Sequence, residues 1–201
     1  MKKLSSLSLA LLATTAFLPA CDGGSGSDDT EAGDETSNTD ATGSGECADP
    51  SDPNATKTPM EASYDEDTTL GCDQIWVVDG EVGVHANLTI DPGTTLVGLS
   101  GGVLVIHQDG MLTAEGTADA PIVMTTNSDS PARGDWGGLV LIGDAPTNLG
   151  APGATEGFVD AYEYGGDDAA HNCGSLRYLR VEYAGFEISD GNELNGITFY
   201  G

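Results

Sequence analysis

The stretch Leu88-Thr89-Ile90-Asp91-Pro92-Gly93-Thr94-Thr95-Leu96-Val97-Gly98 contains two short aliphatic runs separated by a tight corner. Proline presets φ for a turn and glycine accepts a positive φ, so Asp-Pro-Gly ends one strand and turns the chain into the next. A similar unit follows sixteen residues later, in Leu104-Val105-Ile106-His107-Gln108-Asp109-Gly110. Short strands and repeated corners therefore organise this part of the chain.

Comparable runs occur before and after this stretch. Strands are predicted at residues 75–78, 88–90, 95–97, 103–106, 111–113, 122–125 and 139–142. Beyond the N-terminal region, no segment of ten or more residues has the 3.6-residue apolar period of an amphipathic helix. An antiparallel sandwich also uses short strands, but corners that repeat one another favour a solenoid, in which stacked rungs bury a core that one rung cannot. The sequence thus predicts an all-β parallel β-helix.

The segment 176–183 shows the alternation expected of a strand with one buried face. Every second residue is predicted to face the core: Leu179, Val181 and Tyr183. The residues between them are predicted to face solvent: Tyr178, Arg180 and Glu182.

Four motifs occur in order: Asp91-Pro92-Gly93-Thr94, Gly116-Thr117-Ala118-Asp119-Ala120-Pro121-Ile122, Gly134-Asp135-Trp136-Gly137-Gly138-Leu139 and Leu179-Arg180-Val181-Glu182-Tyr183-Ala184-Gly185. As a set they resemble a family of secreted right-handed parallel β-helix proteins, which are uncharacterised lipoproteins and surface proteins of Bacteroidetes and myxobacteria. The resemblance covers residues 82–201. It implies a right-handed β-solenoid at the cell surface and carries over no catalytic residues. Because family members usually continue for more rungs, we expect a C-terminally incomplete helix, or one completed by self-association at the C-terminal rung.

The N-terminus has the parts of a secretory signal. Met1-Lys2-Lys3 is followed by an apolar run over residues 4–17, which is too short to span a bilayer as a stable helix, and by Leu18-Pro19-Ala20-Cys21. The last four residues resemble a bacterial lipobox, which implies a lipoprotein signal peptide at residues 1–20 and lipidation of Cys21. An ordinary signal peptide cut after Ala20 is the alternative. We expect an exported protein anchored to the outer membrane or cell surface, and Asp22 leaves inner-membrane retention open.

Residues 21–46 are predicted to form a disordered acidic tether that begins at the lipidated cysteine. Eight acids and no base lie between Asp22 and Glu46, with no aliphatic side chain larger than alanine to bury. The whole chain has 33 acids against six Lys and Arg residues, a formal charge of −27. Such a chain repels nucleic acid and anionic lipid headgroups, so nucleic-acid binding is excluded and contact with the membrane is expected through the lipid anchor.

The four cysteines fit an oxidising compartment, with Cys21 used by the anchor. Cys47 and Cys72 bracket one short segment, and a disulfide between them is predicted within an N-terminal cap region, residues 47–81. The β-helix rungs are predicted over residues 82–201. Cys173 is left free, paired with a second molecule, or without a partner that a longer chain would supply.

Asp135 and Trp136 are one candidate ligand site, because an aromatic ring beside a carboxylate suits sugar stacking. The structural alternative is that Trp136 packs beneath a loop with its indole N–H bonded, while Asp135 bonds local amides. His85 and His107 each stand alone in a strand–corner segment, where a hydrogen-bonded structural role is favoured over metal ligation.

Residues 143–173 are the longest departure from the rung spacing and are predicted to be an insertion loop over one face of the solenoid. Calcium takes six to eight oxygen ligands, and the candidates in this loop are Asp160, Glu163, Asp167 and Asp168. A solvated acidic loop without metal is the alternative. Tyr162 and Tyr164 are candidate ligand-binding aromatics.

Three functions fit this sequence. The favoured one is a non-catalytic, lipid-anchored cell-envelope protein that binds a polysaccharide or a surface protein, or acts in adhesion. The second is a β-helix polysaccharide lyase or glycoside hydrolase that uses the acidic insertion, with Asp167, Asp168 and His171 in one arrangement or Arg177 as the base in another. The third is a structural protein that associates end to end.

Overall fold

The computed structural model describes residues 45–149, 152–158, 160–189 and 192–201. The predicted signal peptide, the lipidated Cys21 and the tether up to residue 44 lie outside the described residues. Within these ranges there is no α-helix, and so no helix long and apolar enough to cross a membrane.

Eighteen strands in the described part of the chain form three parallel sheets and two small antiparallel pairs. Sheet A contains β1 (Lys57–Pro59), β4 (Ile75–Val78), β7 (Thr95–Gly98), β10 (Ile122–Thr126) and β15 (Leu179–Val181). Sheet B contains β2 (Ser63–Tyr64), β5 (Glu81–Val84), β8 (Val103–Ile106), β11 (Gly138–Ile142) and β18 (Ile197–Tyr200). Sheet C contains β3 (Thr68–Leu70), β6 (Asn87–Ile90), β9 (Met111–Glu115) and β14 (Gly174–Arg177). The antiparallel pairs are β12 (Gly153–Ala154) with β13 (Glu163–Tyr164), and β16 (Glu187–Ser189) with β17 (Asn192–Glu193).

The chain visits the three sheets in a repeating order. β1 belongs to sheet A, β2 to sheet B and β3 to sheet C, and β4 belongs to sheet A again. Neighbouring strands within each of these sheets run parallel, so successive turns stack through backbone hydrogen bonds. Strand twist favours the right-handed form of such connections. The predicted right-handed parallel β-helix is confirmed.

The interior consists of columns of apolar side chains contributed by successive turns. In sheet B one column runs from Tyr64 through Val84, Ile106 and Leu141 to Phe199. The first four side chains are at most 6% exposed, whereas Phe199 is 67% exposed because no described strand lies beyond β18. Each turn therefore depends on the next one to keep its apolar side chains out of water.

The spacing between turns differs from the predicted one. Leu88 pairs with Leu112, which lies 24 positions further on. The repeat read from the sequence instead placed Leu88 in line with Leu104, which belongs to a different sheet. Thr95 pairs with Ile75, twenty positions earlier. Every corner of a turn uses similar Gly, Pro and Asp chemistry, so likeness between corners does not reveal which sheet a strand joins.

Residues 176–183 do not form one strand, contrary to the predicted alternation. Tyr178 has φ +45°, which turns the chain sharply between β14 on sheet C and β15 on sheet A. Leu179 and Val181 pack against the core as predicted. Tyr183 lies beyond the end of β15 with φ +58° and is 43% exposed, so its predicted place in the core is wrong.

Parallel pairing begins earlier in the chain than residue 82, where the rungs were predicted to start. β1 already pairs with β4, Lys57 opposite Ile75, within the predicted cap region. Its first strands contain only two or three residues and are rich in Ser and Thr, too short for a periodic signal. Cys47 and Cys72 form the predicted disulfide, with their Cα atoms 4.7 Å apart.

Candidate functional site

The outer face of sheet B is covered by two segments that leave the regular turns. Residues 143–173 lie between β11 and β14, and residues 182–196 lie between β15 and β18. A second apolar cluster forms on this face, apart from the interior core. Its buried members are Val103, Val105, Val140, Ile142 and Leu194, and the side chains packed against them are Phe158, Tyr162, Tyr164 and Tyr200.

Two histidines occupy equivalent places in successive turns of this face. His85 follows β5 and His107 follows β8, and the pairing of Val84 with Ile106 brings the next two residues side by side. Their imidazole rings stack, with centroids 4.1 Å apart and planes 9° apart. Gly83 lies beside the ring edges, since a Cβ there would be 3.2 Å from Nε2 of His107 and 3.5 Å from Nε2 of His85.

The two histidines have different neighbours. Nδ1 of His85 lies 2.8 Å from Oδ1 of Asp109, whose side chain is 68% exposed. His107 is half-buried, and Tyr162 packs edge-on against it with centroids 4.7 Å apart. Burial lowers the pKa of the His107 imidazole, and the neighbouring His85 lowers it further. The carboxylates of Asp109 and Glu81 raise the pKa of His107, but their effect is smaller than that of burial. His107 is therefore neutral at neutral pH.

Tyr162 attaches the insertion to sheet B. Its hydroxyl donates a hydrogen bond to Oε1 of Glu81 in β5, and its ring makes an edge contact with Phe158 at a centroid distance of 5.1 Å. Burial raises the pKa of Tyr162 to about 12, and the hydrogen bond to Glu81 adds to the effect. The phenol therefore remains a hydrogen-bond donor throughout the physiological pH range.

The two histidines and Tyr162 line an open cleft of about 370 Å³. The lining residues are His85, His107, Gln108, Asp109, Ile142, Tyr162 and Glu163. The side-chain amide of Gln108 donates to the backbone carbonyl of Gly143 at 3.0 Å, which orients it at the cleft wall. Aromatic rings, an amide and carboxylates thus meet at one opening, and this mixture suits the hydroxyl groups and C–H faces of a sugar.

The cleft lining contains the two histidines and the carboxylates of Asp109 and Glu163, groups that occur in sugar-binding sites and, as carboxylate pairs, in glycoside hydrolases. The pairing of His85 with Asp109 resembles a general base and the group that orients it. No serine, threonine or cysteine is among the residues that line the cleft, so no side-chain nucleophile of that kind faces this pair. Elimination from a uronate requires positive charge against the substrate carboxylate, and the same lining contains no lysine or arginine.

Asp135 and Trp136 lie away from this cleft, at the corner before β11. Trp136 is 1% exposed and donates its indole N–H to the backbone carbonyl of Glu182 at 2.8 Å. Its ring packs against Gly98, where a Cβ would lie 2.5 Å from ring atoms. A ring enclosed in this way has no free face on which a sugar can stack. Asp135 accepts a hydrogen bond from the amide of Ala132 at 2.9 Å and lines a separate polar cavity.

The same polar cavity contains part of Gly98-Leu99-Ser100-Gly101-Gly102, which has the spacing of a nucleophile elbow. An elbow joins a strand to a helix, whereas this segment joins strands β7 and β8. The cavity is lined by Leu99, Ser100, Thr126, Asn127, Ser128, Gly134 and Asp135. Because this lining includes no histidine, Ser100 has no base beside it and the motif is a corner of the solenoid.

The acids predicted as calcium ligands are spread along the insertion. Among the described residues, no three His, Cys, Asp or Glu side chains form a group that could hold a metal ion. Asp168 accepts a hydrogen bond from the Ala170 amide at 2.9 Å, and Glu163 lines the histidine cleft. Asp160 and Asp167 are exposed. Calcium binding stays a prediction.

The structure joins two predicted site residues, Tyr162 and Glu163, to a histidine pair that the sequence presented as two isolated residues. Tyr164 instead packs against Tyr200, with centroids 5.0 Å apart. The sequence feature that points to the histidine pair is its separation of 22 positions, which equals the length of the β-helix turn from β5 to β8. That separation indicates stacking only when the length of a turn is known.

The family model for the pectate-lyase-like β-helix domain matches residues 62–201. The chain therefore belongs to this family, in agreement with its three stacked parallel sheets. Comparison with curated proteins and with solved structures finds no match to the chain. Membership in this family shows the fold of the chain but does not identify a ligand. Any argument about the ligand therefore depends on the chemistry of the histidine cleft.

Proposed function

We propose that this protein is an exported, lipid-anchored envelope protein whose β-helix domain binds a neutral polysaccharide without cleaving it. The observation that carries the proposal is the cleft beside the stacked His85–His107 pair. Hydroxyl groups of a sugar can bond the amide of Gln108 and the carboxylates at this opening, while its C–H faces pack against the rings. Family membership is compatible with this role and also with a lyase-like one.

Charge favours a neutral glycan over an acidic one. The chain has a formal charge of −27, and the cleft lining contains carboxylates and no lysine or arginine. A polyuronate such as pectate is therefore repelled over the Debye length and finds no cation at the site. A neutral glycan is not repelled by the negative charge and needs no cation at the site.

Binding of the full chain to neutral glucans, mannans and galactans and to pectate, measured by calorimetry, tests the proposal. We expect at least one neutral glycan to bind more tightly than pectate at low salt. His107→Ala and Gln108→Ala should each weaken that binding about tenfold, the loss expected for a missing polar contact. Ser100→Ala, in the other polar cavity, is the matched control and should bind like the wild type. Unchanged affinity in the first two variants would contradict the proposed site, and release of oligosaccharide fragments would favour the lyase or hydrolase alternative.

The anchor is proposed from residues 1–21 and from their resemblance to lipoprotein signals. Mass spectrometry of the membrane-bound protein should find a diacylglyceryl group on Cys21. Cys21→Ser should remove that group and release the protein from the membrane fraction. A membrane-bound protein whose Cys21 carries no lipid would overturn this part of the proposal.

A further inference from the structure

A second cavity lies on the outer face of sheet B and is apolar, with a volume of about 260 Å³. Its lining residues are Glu81, Gly101, Val103, Gly137, Gly157, Phe158, Phe186 and Leu194. They come from sheet B and the corners next to it, from the insertion and from the segment 182–196, so all three parts of this face border one open space. Glu81 is the single charged residue in that lining.

The apolar cavity and the histidine cleft are neighbours. Glu81 lines the apolar cavity, Tyr162 lines the cleft, and the two residues are joined by the hydrogen bond from the Tyr162 hydroxyl. Phe158 extends this contact, since it lines the apolar cavity and touches the Tyr162 ring at a centroid distance of 5.1 Å. A shared wall of Tyr162, Glu81 and Phe158 therefore separates a polar site from an apolar one.

We infer that the apolar cavity is a subsite for an aromatic or acyl substituent of the glycan held in the histidine cleft. This inference rests on the proposed function. Val103, Phe158, Phe186 and Leu194 provide the apolar walls, and an apolar group that covers them removes their surface from water. The Glu81 carboxylate already accepts the Tyr162 hydroxyl, so it is satisfied without a cation from the ligand.

Glycines let the backbone approach two of the wall residues closely. A Cβ at Gly137 would lie 2.8 Å from Cβ of Val103, and a Cβ at Gly157 would lie 2.5 Å from Cδ2 of Leu194. The backbone thus already contacts the side chains that form the walls, and Gly157 has φ +83°, a conformation that disfavours other residues. An apolar group from outside gains transfer free energy by entering this space.

A sugar-free probe tests the cavity. The full chain is titrated with the neutral aryl dye N-phenyl-1-naphthylamine, whose fluorescence rises in apolar surroundings. Val103→Phe places a ring in the cavity and should weaken dye binding at least tenfold, whereas Gln108→Ala should leave it unchanged. Phe186→Ala removes a half-buried wall residue and is the second variant, with the same expected direction. Phe199→Ser, at the exposed end of the core, controls for dye on other apolar surfaces, and a loss of binding in this variant alone would overturn the subsite.

Matched glycosides test the link to the glycan. For each sugar of the glycan that binds, the p-nitrophenyl glycoside should bind at least tenfold more tightly than the methyl glycoside, and Val103→Phe should abolish this advantage. Equal affinity of the two series, with both dependent on His107, would overturn the subsite and leave the proposed function standing. Absence of binding in both series would overturn the proposed function, and with it the assignment of the substituent to a glycan, even where the dye still binds.

Discussion

The imidazole rings of His85 and His107 stack 4.1 Å apart although 22 positions separate them in the chain. Each ring follows a strand of sheet B, and the parallel register repeats that place once in every turn. A parallel β-helix can therefore bring residues of one type into contact whenever they recur at the turn length. Two protonated imidazoles at this distance repel each other, so the stack is most stable when at most one ring is charged.

The histidine stack makes stability depend on pH in mild acid. Burial lowers the pKa of His107 below its ordinary value of 6.5, so the unfolded chain takes up a proton more readily than the folded one. Stability accordingly falls as the pH drops below 6.5, until His107 is protonated in the folded state as well. Urea unfolding measured between about pH 7.5 and about pH 5 should show a steeper decline for the wild type than for His107→Phe, which keeps a ring without the charge. Parallel declines would show that His107 is not the cause.

Tyr162→Phe should loosen the insertion over sheet B. The change removes the hydrogen bond to Glu81 and keeps the ring contacts with His107 and Phe158. A hydrogen bond to a charged group contributes about 1.5–3 kcal/mol, and partial exposure here reduces the expected loss of unfolding free energy to about 1 kcal/mol. Denaturant unfolding measures this loss, and limited proteolysis should cut the insertion faster. Tyr183→Phe, at a tyrosine that is 43% exposed, is the matched control, and an equal loss in both variants would contradict the role of the Glu81 contact.

The fold could be predicted because its signals are local. An aliphatic run such as 103–106 coincides with strand β8, and glycine or proline chemistry lies on both sides of it. The first turn gives no periodic signal because β1, β2 and β3 contain only two or three residues each, and only Tyr64 and Leu70 among them are buried. Pairing partners were also missed, since they depend on the length of each turn and that length changes with every insertion.

The candidate site depends on contacts that no local pattern contains. Tyr162 and Glu81 are 81 positions apart and meet only because the insertion folds back over sheet B. Trp136 is buried with its indole N–H bonded, as the structural alternative expected, and the absence of a side chain at Gly98 lets its ring enter the interior. Exposure of a residue in a long loop is decided by where the loop docks, and this information is not present in the loop itself.

Gly98→Ala should destabilise the protein through Trp136. A Cβ at Gly98 would lie 2.5 Å from the indole ring, which is 1% exposed, so the buried ring or the backbone has to shift. Overpacking of this kind costs about 1–3 kcal/mol of unfolding free energy. Denaturant unfolding measures the cost. Gly45→Ala is the matched control, because nothing lies within 4 Å of a Cβ at that position.

A double-mutant cycle identifies the ring as the cause. In a Trp136→Phe background the smaller ring leaves room for the new methyl group, so Gly98→Ala should cost less than it does in the wild type. The same cost in both backgrounds would place the clash elsewhere and contradict the packing of Trp136 against Gly98.

Strand β18 should support association between molecules. Its two core-facing residues continue buried columns but are themselves exposed, Ile197 to 37% and Phe199 to 67%. Among the described strands β18 pairs with β11 alone, and an edge strand of a sheet can pair with a strand from a second molecule. Sedimentation velocity should therefore show concentration-dependent association of the full chain. Phe199→Ser should weaken this association, whereas Leu149→Ser, which changes an equally exposed residue in the insertion, should leave it unchanged. A wild-type chain that stays monomeric at its highest soluble concentration, or equal effects of the two substitutions, would contradict pairing through β18.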